Sequence, residues 1–268
     1  GVNDSDNVAT VRLEVSKLRY TLDNPNTLQG REFGASVATD GNYILVGAPE
    51  NIIEGSSRTR SDGQAYLYDA STGNLLHTFN PPAGSTNDWD MFGFTVALDG
   101  NRVLIGDPNR DAGGENYVGR AHLYDAITGD LVRTIDDPAP AYNGRFASAV
   151  AIDGNHILIG NHQHAVPDGD GGTETVGEAY LIDATTGALL HTLNAPANTP
   201  NYNFGFSVAI EGDQILIGSL LEDSGNEVHL FDTTSGSPLH VFTNPTQPIT
   251  VDGFGVSLAI DGDRFLIG

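Results

Sequence analysis

The sequence predicts an all-β protein built from one four-stranded unit repeated along the chain. A phrase of Phe, a small residue and alternating apolar residues recurs five times, beginning at Phe33, Phe92, Phe146, Phe204 and Phe254. In every copy an acidic residue follows the Phe by seven positions and precedes a Gly. The copies begin 50 to 59 residues apart. A fixed phrase with variable spacing indicates a repeated supersecondary unit whose loops differ in length.

The first half of each unit predicts a tight hairpin of two strands, A and B. In the third unit, residues 148–152 and 156–159 are mainly apolar and flank Asp153-Gly154-Asn155. The pattern has a period of two, which is typical of strands, and an acidic residue followed by Gly between apolar runs is a strong hairpin signal.

The second half predicts another hairpin, of strands C and D. Its first copy runs from Ala65 to Phe79 around Asp69-Ala70-Ser71-Thr72-Gly73. Related segments begin at Ala121, Ala179 and Val228. Units of four strands and about 50 residues, placed side by side, predict a β-propeller. A solenoid is less favoured, because its repeats are shorter and it needs distinct capping repeats.

The units predict a single β-propeller domain over residues 1–268. Four units lie near 33–82, 92–138, 146–196 and 204–245, and the fifth combines 254–268 with 10–25. The fifth copy contains strands A and B only, whereas Leu18–Pro25 aligns with the D strand Leu75–Pro82. We therefore expect five blades, the last closed by the N-terminal strands, which removes both exposed sheet edges. The alternative is a fragment of a larger propeller.

The amino-acid composition excludes or disfavours several classes of site and partner. The 268 residues include no Cys, which excludes disulfides, thiolate metal sites and Cys nucleophiles. Acidic residues number 35 against 12 Lys and Arg, giving a net charge of −23. Nucleic acid and anionic membrane surfaces are disfavoured as partners, because both need basic patches. Apolar runs are too short to insert into a membrane, whereas divalent cations and basic partners are compatible with the charge.

The first hairpin resembles the FG-GAP repeat of integrin α-subunit propellers and of many bacterial surface proteins. The resemblance rests on Phe33-Gly34, Val46-Gly47-Ala48-Pro49 and Phe92-Gly93, while the second hairpin resembles repeats of quinoprotein-type propellers. It implies a β-propeller and an extracellular, cell-surface or periplasmic location. Integrin-like repeats carry calcium loops of the type Asp-x-Asp-x-Asp-Gly between strands A and B. The turns here are too short to surround an ion with six or more oxygens, so those sites do not transfer.

The B–C loops and D–A connectors are long and varied, which makes their end of the propeller the expected binding face. Binding residues usually lie on variable loops held by a rigid scaffold. The candidates for contact with a protein or glycan are Trp89, Asp90, Tyr117, His162 and His164.

Two loops are candidates for Ca²⁺. Asp168 and Asp170 alternate with Gly and precede Glu174, so their oxygens could surround an ion. Asp107 and Asp111 form a second, weaker cluster. A solvated polar loop is the alternative at both places. The pair His162 and His164 also has a spacing compatible with a transition metal, if a third ligand comes from elsewhere. By contrast, His77, His191 and His240 share one position in each blade and are interpreted as structural.

The leading hypothesis for function is a non-catalytic interaction or adhesion module. We find no nucleophile elbow, phosphate loop or zinc-protease motif. One alternative is a carbohydrate-active enzyme, whose two carboxylates would come from different blades. The other alternative is a lectin with one pocket per blade, which is disfavoured because the B–C loops differ in length and content.

Overall fold

The computed structural model describes residues 21–25, 32–49, 63–83, 90–111, 117–167, 172–196, 203–220, 226–245 and 253–268. Within these ranges the protein is all-β, with no helix, and its strands pair antiparallel. The predicted fold class is confirmed. Residues 10–20, which carry most of the predicted closing strands, lie outside the described residues.

Four sheets of four strands each form successive blades. Blade 1 contains β1 (Ser36–Thr39), β2 (Tyr43–Ala48), β3 (Gln64–Asp69) and β4 (Leu75–Phe79). Blade 2 contains β5 (Thr95–Asp99), β6 (Arg102–Asp107), β7 (Arg120–Asp125) and β8 (Leu131–Asp136). Blade 3 contains β9 (Ala149–Asp153), β10 (His156–Asn161), β13 (Glu178–Asp183) and β14 (Leu189–Leu193). Blade 4 contains β15 (Ser207–Glu211), β16 (Gln214–Ser219), β17 (Glu227–Asp232) and β18 (Pro238–Thr243).

The remaining strands form two sheets of two strands each. A hairpin of β11 (Ala165–Pro167) and β12 (Thr173–Thr175) rises from the B–C loop of blade 3. The fifth copy forms the pair β19 (Leu258–Asp261) and β20 (Arg264–Ile267), which we call half-blade 5. In each full blade the strands pair in the order A, B, C, D, as predicted. The A strands of successive blades contact one another, so they form the inner side of the array.

The motif Phe packs inside its own blade. Each ring lies on the third residue of strand C, with centroid distances of 5.8, 5.6, 5.7 and 5.3 Å for Phe33–Tyr66, Phe92–His122, Phe146–Tyr180 and Phe204–His229. Because Phe92, Phe146 and Phe204 are fully buried, each contributes about 2–3 kcal/mol of hydrophobic stabilisation.

The motif glycines bring neighbouring blades into backbone contact. A Cβ on Gly47, Gly106, Gly160 or Gly218 would overlap the carbonyl oxygen of the residue after the motif Phe in the next blade. Those carbonyls belong to Gly93, Ala147, Gly205 and Gly255 respectively. A residue without a side chain is therefore required at the end of strand B, where two blades meet most closely.

Apolar clusters fill the joints between blades. Leu45, Phe79, Val96 and Ile105 pack between blades 1 and 2. Equivalent clusters lie between blades 2 and 3 and between blades 3 and 4, and a smaller one joins blade 4 to half-blade 5. The core is thus a series of blade-to-blade interfaces, which is why an array of repeats is needed to bury it.

The acidic residues of the A–B turns in blades 2, 3 and 4 also form hydrogen bonds across a joint. Asp99 accepts a hydrogen bond from the backbone N–H of Gly154 at 2.7 Å, and Asp153 accepts one from Gly212 at 2.6 Å. Glu211 accepts the equivalent bond from Gly262 at 2.9 Å. The recurrence of an acid seven residues after the Phe is therefore explained by the joint as well as by the turn.

The C–D turns are held by their own aspartates. In blade 1, Oδ1 of Asp69 accepts bonds from the backbone N–H groups of Ser71 and Thr72 at 2.9 and 2.8 Å. Bonds from the Ser71 and Thr72 side chains lower the pKa of Asp69 to about 2. Asp125, Asp183 and Asp232 make equivalent turns.

The third residue of strand D reaches the next blade, as expected of a structural position. His77 Nε2 lies 3.2 Å from the carbonyl oxygen of Ile127, and His191 Nε2 lies 3.0 Å from that of Thr234. Arg133 replaces His in blade 2 and donates to the carbonyl of Thr185 at 3.0 Å.

The N-terminal segment meets blade 1 as a D strand would. Leu22 packs against the outer cluster of blade 1, which includes Tyr66 and Tyr68. The Tyr68 hydroxyl donates to the carbonyl of Asp23 at 3.4 Å, just as Tyr124 of blade 2 donates to the carbonyl of Asn80 at 3.3 Å. Since Asp23 aligns with Asn80, residues 21–25 occupy the place of the end of a preceding blade's D strand and of the residues that follow it.

Candidate functional site

The loop face, made of the B–C loops and D–A connectors, carries most of the predicted site residues. Trp89, Asp168 and Asp170 lie outside the described residues. The other seven are described, and the loops between strands hold them in two groups, one in blade 2 and one in blade 3.

In blade 2 the predicted residues Asp90 and Asp107 converge on one buried arginine. Arg110 lies 3.1 Å from Asp90 and 4.0 Å from Asp107, measured from Nη1 to Oδ2. Its Nη2 donates to the carbonyl of Pro82 at 2.8 Å, and Asp107 Oδ1 accepts from the N–H of Met91 at 3.0 Å. All three charged side chains are buried. The arginine therefore fastens the B–C loop of blade 2 to the connector from blade 1.

This cluster buries two carboxyl groups beside a single guanidinium, so one of the two carboxyl groups is expected to keep its proton. Burial, and secondarily the charge of Asp90, raise the pKa of Asp107 to about 8. In blade 3 the equivalent position is Asn161, whose amide donates to Asp137 at 2.9 Å. A protonated Asp107 could donate a hydrogen bond from its carboxyl group, as the side-chain amide of Asn161 does.

We predict that Asp107→Asn removes a pH dependence of stability. With a folded-state pKa above the unfolded value, wild-type stability should fall as pH rises from about 4 to about 8, because the folded state holds a proton that the unfolded state releases. The melting temperature of Asp107→Asn relative to wild type should therefore increase between pH 5 and 9. Asp111→Asn is the control. A parallel pH profile for wild type and Asp107→Asn would contradict the prediction.

In blade 3, His164 is an internal support. It is buried, its carbonyl accepts from the N–H groups of Val176 and Gly177 at 2.9 and 3.1 Å, and its Nε2 lies 3.8 Å from Glu178. Glu178 also accepts from the Tyr180 hydroxyl at 2.5 Å. His164 thus anchors the base of the β11–β12 hairpin to strand C.

His162 lies nearer the surface, beside an exposed aromatic. Its Nδ1 is 2.7 Å from the Ser148 hydroxyl, and its ring meets Phe206 edge-on at 5.5 Å. Burial, and secondarily Arg145, lower the pKa of His162 to about 4, so the ring is neutral at physiological pH.

Left-handed backbone occurs at one residue of the B–C loop of blade 2 and at two residues of the connector between blades 2 and 3. Tyr117, Asn143 and Arg145 have φ of 56°, 59° and 58°. Arg145 donates its N–H to the carbonyl of Tyr117 at 3.0 Å, and Asn143 donates to the Gln163 side chain at 2.9 Å. Such conformations cost about 1–3 kcal/mol each and cluster at functional sites. The predicted residue Tyr117 therefore lies in a segment fixed by its neighbours.

Sequence reasoning missed two aromatics on this face. Phe94 and Phe206 directly follow the Phe-Gly pair, and each keeps 37% of its surface exposed. Both precede an A strand, so they lie on the inner side of the array. The signal was present in the repeat: this position is Ala35 and Ser148 in two other copies, where a large apolar residue is absent.

The metal predictions remain predictions. Glu174 is exposed on β12, and Asp111 accepts a bond from the N–H of Tyr117 at 3.1 Å. Asp107 already has Arg110 beside it. Among the described residues, no group of three or more His, Asp or Glu side chains is arranged to hold a metal ion.

The repeated four-stranded sheets, joined at their glycines, define a protein of the β-propeller class. The FG-GAP repeat model matches residues 24–68 and 83–124, which include the first hairpin of each of the first two units. These two segments are similar to FG-GAP repeats, and the described residues have an all-β, propeller-like fold. No curated protein sequence shows significant similarity to it. The described residues include no helix long and apolar enough to cross a membrane.

Proposed function

We propose that the chain is a non-catalytic interaction or adhesion module that binds a protein or glycan through the loop face. FG-GAP repeats are typical of integrin-like adhesion and interaction modules and occur in extracellular or cell-surface proteins. We propose a location outside the cytoplasm, at the cell surface, in the periplasm or in the medium.

The observation that carries the choice of face is the exposed aromatic pair Phe94 and Phe206. Large aromatic side chains half-exposed on a rigid frame are typical anchors for sugar rings and for protein partners. His162 supports Phe206 from the side and is itself neutral, so this surface suits an uncharged glycan or an apolar protein patch. The net charge of −23 argues against a strongly acidic partner.

The test compares the double variant Phe94→Ala/Phe206→Ala with wild type on arrays of immobilised oligosaccharides and of cell-surface protein ectodomains. We expect wild type to bind a defined subset and the double variant to lose at least tenfold in affinity. Ile127→Ala is the matched control, because Ile127 is an exposed apolar residue on a C–D turn at the opposite face. No binding on either array, or equal loss in both variants, would contradict the proposal.

A carbohydrate-active enzyme is the second candidate, because the carboxyl groups of Asp137 and Glu178 could act as a pair. Burial raises the pKa of Asp137, and nearby Glu178 raises it further, as a general acid requires. Both groups nevertheless have internal partners, since Asp137 accepts from Asn161 and Glu178 accepts from Tyr180. Release of chromophore from aryl glycosides that is abolished by Asp137→Asn would favour the enzyme over the binding module.

A further inference from the structure

A cavity of about 360 Å³ opens on the turn face, at the joint between blades 1 and 2. The turn face is the end formed by the A–B and C–D turns, opposite the loop face. The cavity is lined by Gly41, Asn42, Tyr43, Asp69 and Ser71 of blade 1 and by Gly100 and Asn101 of blade 2. Its walls are mainly polar groups of turns, with one carboxylate.

At the next joint, the side chain of Arg102 bridges the corresponding groups. Its guanidinium donates to the carbonyl of Gly154 and lies 3.5 Å from the Asn155 side-chain oxygen and 3.4 Å from the Thr185 hydroxyl. Arg102 is the first residue of the B strand of blade 2, and its partners belong to the turns of blade 3. The protein thus uses a guanidinium to join two blades at this face.

The first joint keeps two of the three acceptors, because Ile127 takes the place that Thr185 has at the next joint, and a different residue replaces the arginine. Tyr43 begins the B strand of blade 1 as Arg102 begins that of blade 2. Gly100 and Asn101 correspond to Gly154 and Asn155, the residues that bind Arg102. A tyrosine has one hydroxyl donor, whereas a guanidinium has five N–H donors in a planar fork.

A second polar link of the later joints is also missing from the first. Asp40 corresponds to Asp99 and Asp153, which accept from a glycine of the next blade. Asp40 instead uses Oδ1 for the N–H groups of Asn42 and Tyr43, both at 2.9 Å. In the described structure its Oδ2 is buried without a hydrogen-bond partner. The first joint is therefore more open at the turn face than the joints that follow.

Charge favours a cation in this cavity. The turn bonds of Asp69 go to Oδ1, so the turn does not use Oδ2, and the same bonds keep the carboxylate ionised at neutral pH. The whole chain carries a net charge of −23, which raises the local concentration of basic ligands.

We propose that the cavity between blades 1 and 2 binds a guanidinium group, in the way that the next joint binds the side chain of Arg102. The group comes from an arginine side chain of a basic partner or from a free guanidinium compound. This site lies on the opposite face from the aromatic pair and does not depend on the proposed function.

The first experiment titrates the whole chain with arginine probes and follows the backbone amide signals of Gly100 and Asn101 by NMR. N-acetyl-arginine methylamide should shift both signals saturably, and the citrulline analogue, which is uncharged and nearly isosteric, should bind at least tenfold more weakly. The lysine analogue tests the need for a planar fork. Free arginine is compared with an arginine in a short glycine peptide, and the tighter ligand identifies the source. Equal shifts from the arginine and citrulline probes would overturn the proposal.

The second experiment uses matched variants. Asp69→Asn should lose at least tenfold in affinity, whereas Asp232→Asn changes the equivalent turn of blade 4, which does not line the cavity, and should bind as wild type does. Tyr43→Arg should place the chain's own guanidinium in the cavity and abolish binding of the probe while raising the melting temperature. Unchanged binding in both Asp69→Asn and Tyr43→Arg, with folding confirmed by circular dichroism, would refute the site.

Discussion

Replacing Gly160 with alanine is expected to destabilise the protein by about 3 kcal/mol or more. The new Cβ would overlap the carbonyl oxygen of Gly205 in the next blade. Both groups are backbone-fixed, so no rotamer change relieves the clash, and the two blades must separate. Chemical denaturation followed by tryptophan fluorescence would measure the loss in the free energy of unfolding.

Gly154→Ala is the control within the same blade. Gly154 has φ of +52° but nothing lies within 4 Å of the Cβ position, so alanine there should cost only about 1 kcal/mol. A loss of only about 1 kcal/mol in both variants would mean that the close approach of blades does not explain why Gly recurs at the end of strand B.

This contrast shows how much of the fold the sequence could predict. The hairpins, their strand order and their turns were predictable, because each depends on residues close together in the chain. The overlap between Gly160 and Gly205 was not, because it joins residues of different units, and only the assembled array brings them together. The A–B turn acids were likewise interpreted as turn residues, whereas Asp99 also binds Gly154 of the next blade.

The sequence predicts which loops carry the candidate site but not how their side chains pack. The length and variety of the loops predict the loop face, but burial on that face depends on contacts between loops. The sequence could not show that Arg110 encloses Asp90, or that His164 supports a hairpin while His162 stays near the surface. Phe94 and Phe206 adjoin a motif Phe, so only a comparison with the copies that have Ala35 or Ser148 at this position distinguishes them from the repeated phrase.

At the two ends of the array, apolar side chains are exposed at positions that are buried in the joints between blades. Leu266 of β20 is 73% exposed, although its equivalents Leu104, Leu158 and Leu216 are fully buried. At the other end, Val37 is 65% exposed, whereas Val96 at the same position of blade 2 is buried. Such apolar positions on opposite end faces suit a ring in which half-blade 5 meets blade 1. They also suit the alternative of further blades.

Deleting residues 1–23 is expected to lower stability sharply and to speed hydrogen exchange in β20. The deletion removes Leu22 from the outer cluster of blade 1 and the Asp23 carbonyl from the Tyr68 hydroxyl. If residues 10–22 also supply strands C and D to half-blade 5, the deletion reopens a sheet edge. Hydrogen exchange of the peptide 258–268 should be slow in the full chain and fast in the deletion variant, and thermal denaturation should give the accompanying loss of stability.

Deletion of residues 1–9 is the control, because it stops before the first predicted closing strand. It should leave both exchange and melting temperature close to those of the full chain. Fast exchange of 258–268 already in the full chain would contradict closure by the N-terminal strands, and the exposed Leu266 would then mark a joint that takes a further blade. A deletion effect confined to blade 1, with exchange in 258–268 unchanged and slow, would mean that Leu22 supports blade 1 while other residues protect β20.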